Sequence, residues 1–225
     1  MPVVGLIGGI GAGKSLAASC FGGLGGFVLD ADAIGHALLE RSPCRDRVLD
    51  RFGEAVLGPY TAEGERRPID RRALGAIAFA DPVALRDLEG ILHPAMRKTF
   101  DRAINRQARL GRAAAVVLDA AILYEAGWDT LCDVVVYVDA PDAARLARLE
   151  AGRGWTAETL AAREKAQGPA EEKRRQADHV LRNDGTPEAL KAAAAALWPR
   201  LVRPRGRTSR PDRDDAASAR GRPSS

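Results

Sequence analysis

Cysteine is scarce in this chain of 225 residues, and long apolar runs are missing from it. The three cysteines, Cys20, Cys44 and Cys132, are far apart, odd in number and outside any C-x-x-C pair. This pattern argues against a disulfide framework and a cysteine-based zinc site, so we interpret them as small buried apolar side chains. The three histidines, His36, His93 and His179, are not spaced like the ligands of a metal site, so we assign none of them to a metal.

No stretch approaches the roughly 18 uncharged apolar residues that a membrane-spanning helix needs. The N-terminus also lacks a basic segment followed by a long apolar one. We therefore expect a soluble cytoplasmic protein that has no membrane partner. With 46% hydrophobic and 28% charged residues, the chain has the composition of a folded domain, and its length favours one domain with a substantial insertion.

The net positive charge of the chain comes entirely from its C-terminal end. Segment 202–225 holds seven arginines and three aspartates, which is the whole net charge of +4, so residues 1–201 are formally neutral. After Val202 this segment has no apolar residue larger than alanine and is rich in Pro, Gly, Ser and Arg, so we expect a disordered basic tail. A solvated appendage is favoured over a nucleic-acid-binding arm.

The body of the chain alternates short apolar runs with longer helical stretches, which is typical of a parallel sheet covered by helices. The predicted strands are Val3–Ile7, Phe27–Leu29, Ala115–Leu118, Val134–Val138 and Val180–Leu181. Segment 32–114 is too long for a plain crossover and is predicted to be a helical insertion. Segment 145–176 is helical but strongly charged, which favours a mobile basic flap. The site should lie beyond the carboxyl ends of the strands.

Two prolines predict helix boundaries. Pro94 follows His93, and this pair is interpreted as the start of a helix. Pro187 opens a last helix, which runs through Trp198 and which Pro199 should end.

The strongest signal is the segment Gly8-Gly9-Ile10-Gly11-Ala12-Gly13-Lys14-Ser15, which matches G-x-x-x-x-G-K-[ST] between a strand and a helix. Glycines let such a loop turn tightly around a polyphosphate and present its N–H groups to it. Lys14 would bridge the β and γ phosphates, and the Ser15 hydroxyl would ligate Mg²⁺. The sequence therefore predicts a phosphate-binding loop (P-loop).

Carboxylates follow the second and third predicted strands. Asp32 would lie at the rim of the phosphate site, where it could accept a proton from an attacking hydroxyl. Alternatively, Asp30 or Asp32 caps the next helix, and the sequence leaves both readings open. Asp119 ends a strand that resembles a Walker B strand, from which it would reach the Mg²⁺ shell directly or through water.

Further motifs give the chain a family resemblance. Besides the P-loop they are Leu29-Asp30-Ala31-Asp32, Phe79-Ala80-Asp81-Pro82, Leu88-Glu89-Gly90-Ile91-Leu92-His93-Pro94, Leu123-Tyr124-Glu125, Gln167-Gly168-Pro169-Ala170-Glu171-Glu172-Lys173, and Ala177-Asp178-His179-Val180-Leu181-Arg182-Asn183-Asp184-Gly185. They cover about residues 1–200 in order. The chain resembles the bacterial dephospho-CoA kinases, which are P-loop kinases.

The resemblance implies a three-layer α/β P-loop NTPase fold in which ATP phosphorylates the ribose 3′-hydroxyl of dephospho-CoA, the last step of coenzyme A synthesis. It implies a nucleotide-binding core at 1–31, 115–144 and 177–201, a helical CoA-side insertion at 32–114, and a lid at 145–176. The tail at 202–225 lies outside this scheme.

The resemblance also implies roles for individual residues. Asp32 matches the general base, and Lys14 and Ser15 match the phosphate and magnesium ligands. Arg148 and Arg153 match lid arginines that assist catalysis. The loop from Gly8 to Leu16, together with Asn183, would bind the nucleotide, and His93 and Glu125 would lie on the acceptor side. The expected cofactor is Mg²⁺, with ATP as co-substrate.

The chain departs from the family pattern at two places in this site. Leu16 replaces a threonine or serine that touches the α-phosphate, so one hydrogen bond worth roughly 0.5–1.5 kcal/mol is lost and ATP should bind more weakly. Gly152-Arg153 stands where the family more often has Arg followed by Asp or Asn, which leaves the register of the second lid arginine open.

Two other functions fit the same residues. A kinase of another nucleoside, nucleotide or small alcohol would share the loop and the lid and differ in the insertion. A non-catalytic nucleotide-dependent binding protein would explain Leu16 and the basic tail, and it predicts salt-sensitive nucleic-acid binding through that tail. We expect a monomer or a weak homo-oligomer.

Overall fold

Five strands form one parallel sheet at the centre of the molecule. The computed structural model describes residues 1–60, 66–166 and 170–203, apart from the side chains of Arg153, Lys165 and Ala166. The strands are β1 Val3–Gly8, β2 Gly26–Asp30, β3 Ala115–Asp119, β4 Val134–Asp139 and β5 His179–Arg182. Their order across the sheet is β2-β3-β1-β4-β5. The predicted parallel sheet is confirmed, and each strand is one or two residues longer than predicted.

Nine helices are described around this sheet. They are α1 Lys14–Gly23, α2 Ala31–Leu39, α3 Cys44–Phe52, α4 Arg71–Ala80, α5 Pro82–Leu110, α6 Asp142–Arg153, α7 Ala157–Ala166, α8 Ala170–Gln176 and α9 Pro187–Leu201. None of the helices in the described ranges is long and apolar enough to cross a membrane. Most of the predicted tail, from residue 204 onward, lies outside the described residues.

The alternation of side chains along the strands creates two cores, one on each face of the sheet. On one face, Val4 and Leu6 pack with Phe21 of α1 and Trp198 of α9. On the other face, Val3 and Ile7 pack in a cluster with Phe100 of α5 and Trp128, whose rings meet edge to face at 5.0 Å. The three central strands β1, β3 and β4 are buried along nearly their whole length, so their charged residues, Asp119 and Asp139, lie at the carboxyl ends.

The long segment between β2 and β3 is helical, as predicted, and has an apolar cluster of its own. Helices α2 to α5 enclose buried residues that include Val48, Val56 and Leu74. In the described part of this segment the single β feature is an isolated antiparallel bridge between Leu57 and Ile69. The predicted buried state of the cysteines is borne out for Cys44, whereas Cys20 and Cys132 are half-buried, and none of the three forms a disulfide within the described residues.

The helix start predicted at Pro94 is wrong. Helix α5 begins at Pro82, where the Asp81 carboxylate accepts hydrogen bonds from the N–H groups of Val83 and Ala84, and Pro94 lies inside it. An aspartate cap followed by proline is the stronger start signal. Pro94 and Gly90, whose carbonyl loses its partner, are both exposed, so water can satisfy that carbonyl.

The helix end predicted at Pro199 is also too early. Helix α9 begins at Pro187 as predicted but continues to Leu201. Leu201 is buried against the sheet, and its burial stabilises a last turn that has lost one hydrogen bond to the proline.

Candidate active site at the carboxyl ends of the strands

The loop between β1 and α1 wraps around the N-terminus of α1. Gly11 and Gly13 have φ angles of 74° and 90°, a left-handed conformation that favours glycine. Inside the loop, the N–H of Ala12 donates to the carbonyl of Gly9 at 3.1 Å. Gly13 caps α1 without a side chain, so the first N–H groups of the helix stay available for an anion.

Lys14 carries its charge into this loop. Its Nζ donates to the carbonyl oxygens of Gly8 at 3.1 Å and Gly9 at 3.4 Å. Ser15 follows in the first turn of α1 with an exposed side chain, and Leu16 beside it is 40% exposed. An ammonium group and a hydroxyl thus lie at a helix N-terminus, a combination that suits a polyphosphate with its cation.

Three carboxylates form an electrostatically interacting group, in which Asp119 also interacts with Lys14. Asp30 and Asp119 end the paired strands β2 and β3 in register with each other, and Asp32 lies in the first turn of α2. Asp30 is the cap of α2, since it accepts a 2.9 Å hydrogen bond from the N–H of Ala33. Asp32 does not occupy the cap position, so its carboxylate remains available for the role of a base.

The electrostatics of this cluster single out Asp119. Burial raises its pKa from 3.8 to about 6, the charge of Lys14 lowers it, and the charges of Asp30 and Asp32 raise it. A carboxylate that is costly to ionise in the protein alone is stabilised by a nearby cation.

The residues present fit Mg²⁺. In the described residues no three His, Cys, Asp or Glu side chains form a cluster that could hold a metal by itself. Mg²⁺ does not require such a cluster, because it usually takes one or two protein oxygens and completes its shell with water and phosphate oxygens. Ser15 and Asp119 supply that kind of partial donor set.

The outer side of the loop is held by side chains from α6 and from the turn after β5. Asn183, only 3% exposed, donates from Nδ2 to the carbonyl of Ala12 at 2.8 Å. Arg148 donates from Nη1 to the carbonyl of Gly11 at 3.3 Å and from Nη2 to the carbonyl of Asn183 at 3.1 Å. Arg145, also on α6, donates to the carbonyl of Ile10 at 3.1 Å.

The chain matches a known protein family over most of its length. The family model described as dephospho-CoA kinase matches residues 2–188. The chain belongs to the dephospho-CoA kinase family. It is therefore an enzyme, a kinase with a P-loop nucleotide-binding fold, and the resemblance predicted from its motifs is confirmed.

Individual members of the dephospho-CoA kinase family are similar over most of their length. The dephospho-CoA kinase of Symbiobacterium thermophilum is 41% identical over 201 residues, which cover 88% of this chain and 80% of the relative. That of Anaeromyxobacter dehalogenans is 41% identical over 208 residues, 92% and 95% of the two chains. The crystal structure of TT1252 from Thermus thermophilus is 35% identical with a TM-score of 0.74, covering 89% and 97%.

His93 and Glu125, which the family resemblance assigns to the acceptor side, have well-defined partners. His93 lies on α5 with its ring edge to face with Trp128 at 5.2 Å. Burial lowers the pKa of His93 while the charge of Glu89 raises it, and the net shift is downward, so the ring favours its neutral form. Glu125 forms an ion pair with Lys173 of α8.

The structure thus brings the P-loop, Lys14, Asp119, Arg148 and Asn183 together, and places His93 and Glu125 in contacts of their own. The side chain of Arg153 lies outside the described residues. Sequence reasoning missed Arg145 as a residue that contacts the P-loop. The available signal was its spacing, because residues three apart on a helix share a face, and Arg145 precedes Arg148 by three.

Proposed function

We propose that this kinase transfers the γ-phosphoryl group of ATP to the ribose 3′-hydroxyl of dephospho-CoA, giving coenzyme A and ADP. Membership of the dephospho-CoA kinase family supports this substrate pair. The observation that carries the proposal for this chain is the electrostatic interaction of Asp119 with Lys14 of the P-loop and with the carboxylates of Asp30 and Asp32. A phosphate cradle and a base for a hydroxyl therefore lie at one edge of the sheet.

Three parts of the chain would have separate roles in the reaction. The core, 1–31 with 115–144 and 177–201, binds ATP. The helical insertion 32–114 binds the CoA side, which its own apolar cluster makes possible without disturbing the sheet. The segment 145–176 covers the phosphates as a lid, and exclusion of water by the lid would favour transfer to the acceptor over hydrolysis of ATP.

The nucleotide would bind along the loop from Gly8 to Leu16. The N–H groups of the loop and of the α1 N-terminus receive the phosphate oxygens, and Lys14 neutralises the charge on the β and γ phosphates. Asn183 holds the loop carbonyl of Ala12 at the nucleotide side. Ser15 and Asp119 would hold Mg²⁺, which when bound neutralises phosphate charge in the transition state.

The acceptor would enter from α2 and α5. Asp32 accepts the proton of the 3′-hydroxyl as that oxygen attacks phosphorus in line with the leaving ADP. His93 and Glu125 contribute to the acceptor side. Arg148 and Arg153 of the lid stabilise the charge that develops on the transferred group.

The test uses the full chain with Mg·ATP, with and without dephospho-CoA, and follows ADP release together with the mass of the product. We expect ADP release that depends on dephospho-CoA and a product heavier by one phosphoryl group. Asp32→Asn should lose most of this activity, whereas Asp50→Asn, an exposed aspartate of α3, should retain it.

Other acceptors at equal concentration separate this proposal from a kinase of another nucleoside or small alcohol. Preferential phosphorylation of one of these would overturn the assignment of dephospho-CoA. Folded protein that binds ATP and phosphorylates no acceptor would overturn the proposed reaction altogether.

A further inference from the structure

Arg145 is a buried cation between the P-loop and the lid. It is 8% exposed and lies in the first turn of α6. Its Nη1 donates to the carbonyl of Ile10 at 3.1 Å, its Nη2 donates to Asp142 at 2.7 Å, and Nη1 also pairs with the carboxylate of Glu164 on α7. A buried charge is tolerated only when it is paired in this way.

Both carboxylates keep the guanidinium charged. Burial lowers the pKa of Arg145, but its hydrogen bonds to Asp142 and Glu164 outweigh this and leave the pKa raised. The side chain is therefore a permanent positive group that contacts with Ile10, Asp142 and Glu164 hold in place.

The contact with Ile10 fixes the orientation of one loop peptide. In a trans peptide the C=O and the following N–H point in opposite directions. Because the carbonyl of Ile10 faces Arg145 on the outside of the loop, the N–H of Gly11 faces away from Arg145. In the same way, Asn183 holds the carbonyl of Ala12 and turns the N–H of Gly13 away from itself.

The loop is built to accept this contact. A Cβ on Gly9 would lie 3.0 Å from Nη1 of Arg145, and a Cβ on Gly11 would lie 3.0 Å from both the backbone oxygen of Arg145 and Leu149. The glycines therefore permit α6 to pack directly on the loop, in addition to permitting its turns.

The contact with Glu164 ties the same nitrogen to the lid. Glu164 lies on helix α7, which follows α6 within the lid segment 145–176. Nη1 of Arg145 thus donates to both a loop carbonyl and a lid carboxylate. A displacement of α7 would therefore move the guanidinium that orients the Ile10–Gly11 peptide.

We propose that Arg145 is a positioning residue that couples the P-loop to lid helix α7 through Ile10 and Glu164. It acts on the reaction through the loop and the lid and not by touching the transferred group. This inference rests on the proposed function and adds to it a link between ATP binding and exclusion of water. Loss of Arg145 should weaken ATP binding and also break the link between α7 and the loop. Loss of the Glu164 charge should weaken only that link.

The experiment compares Arg145→Gln and Glu164→Gln with the parent enzyme. Arg200→Gln, which neutralises an exposed arginine in the last turn of α9 and outside the lid, is the matched control. The readouts are the Kd of Mg·ATP without acceptor, the kcat and KM for each substrate, and the ratio of ADP released to phosphorylated acceptor. Thermal unfolding of each variant reports its stability separately.

For Arg145→Gln we expect the Kd of Mg·ATP to rise about tenfold, as loss of one charge-assisted hydrogen bond implies. The ADP-to-product ratio should rise well above one. For Glu164→Gln the same ratio should rise while the Kd of ATP stays within about twofold, because the uncharged amide still leaves Arg145 on Ile10. Arg200→Gln should match the parent enzyme.

A purely structural role would lower the unfolding temperature and the amount of active enzyme, without moving the ratio or the Kd. A ratio of one in Glu164→Gln, with ATP affinity unchanged in Arg145→Gln, would overturn the coupling. If Arg145→Gln does not fold, a ratio of one in folded Glu164→Gln and Arg145→Lys would overturn it as well. Absence of acceptor phosphorylation by the parent enzyme would instead mean that the proposed function fails.

Discussion

Asp30 and Asp119 are register partners at the ends of adjacent parallel strands, yet their carboxylates have different tasks. Asp30 is exposed and bonds the N–H of Ala33 at the start of α2. Asp119 is half-buried, and burial raises its pKa to about 6 with Lys14 opposing the shift. Position in the sheet is thus shared, while the local surroundings decide which carboxylate caps a helix and which has a raised pKa.

Asp119→Asn should stabilise the protein in metal-free buffer at pH 8. Between 3.8 and about 6 the folded wild type binds more protons at this site than the unfolded chain, so its free energy of unfolding falls as pH rises through that window. The amide cannot ionise and avoids this loss. Thermal unfolding from pH 4 to 8 with a chelator measures the effect.

The advantage of Asp119→Asn over the wild type should therefore shrink as pH falls toward 4, and catalysis should need more Mg²⁺. Asp50→Asn serves as the exposed control. A difference in unfolding temperature that is equal at every pH would contradict the role given to the Asp119 charge.

Lys14→Ala should reduce kcat by at least about 100-fold, since the variant removes a positioned charge from the phosphates. The exposed Lys98→Ala on α5 loses the same charge without touching the loop and should keep full turnover. Steady-state ADP release measures the kcat of both variants. Wild-type turnover in Lys14→Ala would refute the P-loop assignment.

Leu16→Thr should lower the KM for ATP about two- to tenfold, the range that one added hydrogen bond provides. Leu16 is 40% exposed in the first turn of α1, so its replacement costs little packing. Leu24→Thr, at the exposed far end of the same helix, is the control and should leave the KM unchanged. An unchanged KM in Leu16→Thr would mean that position 16 does not face the nucleotide.

His93 should titrate below its ordinary pKa of 6.5, because the burial of its ring beside Trp128 outweighs the charge of Glu89. Below pH 6.5 the unfolded chain then binds more protons than the folded one, so acid lowers the free energy of unfolding. Proton NMR of the three histidines, with His93→Gln to assign the signal, gives the midpoint. A midpoint above 6.5 would be inconsistent with a buried neutral ring.

Local chemistry was sufficient to predict the parallel sheet, the P-loop and the helical insertion. Strand periodicity, the glycine spacing before Lys14 and the apolar pattern of segment 32–114 are properties of neighbouring residues. The helix start at Pro94 was predicted wrongly because a proline signal competes with the Asp81-Pro82 cap, and the long packed face of α5 outweighs the lost hydrogen bond.

What the sequence by itself determined is therefore the set of chemical groups and their order: a phosphate loop, carboxylates after strands, and a charged lid segment. Only the tertiary structure decided which of these meet. Arg145 and Ile10 are separated by 135 positions, and Asn183 and Ala12 by 171. The parallel sheet brings α6 and the turn after β5 to the loop, because it places β4 and β5 beside β1 with all carboxyl ends at one edge.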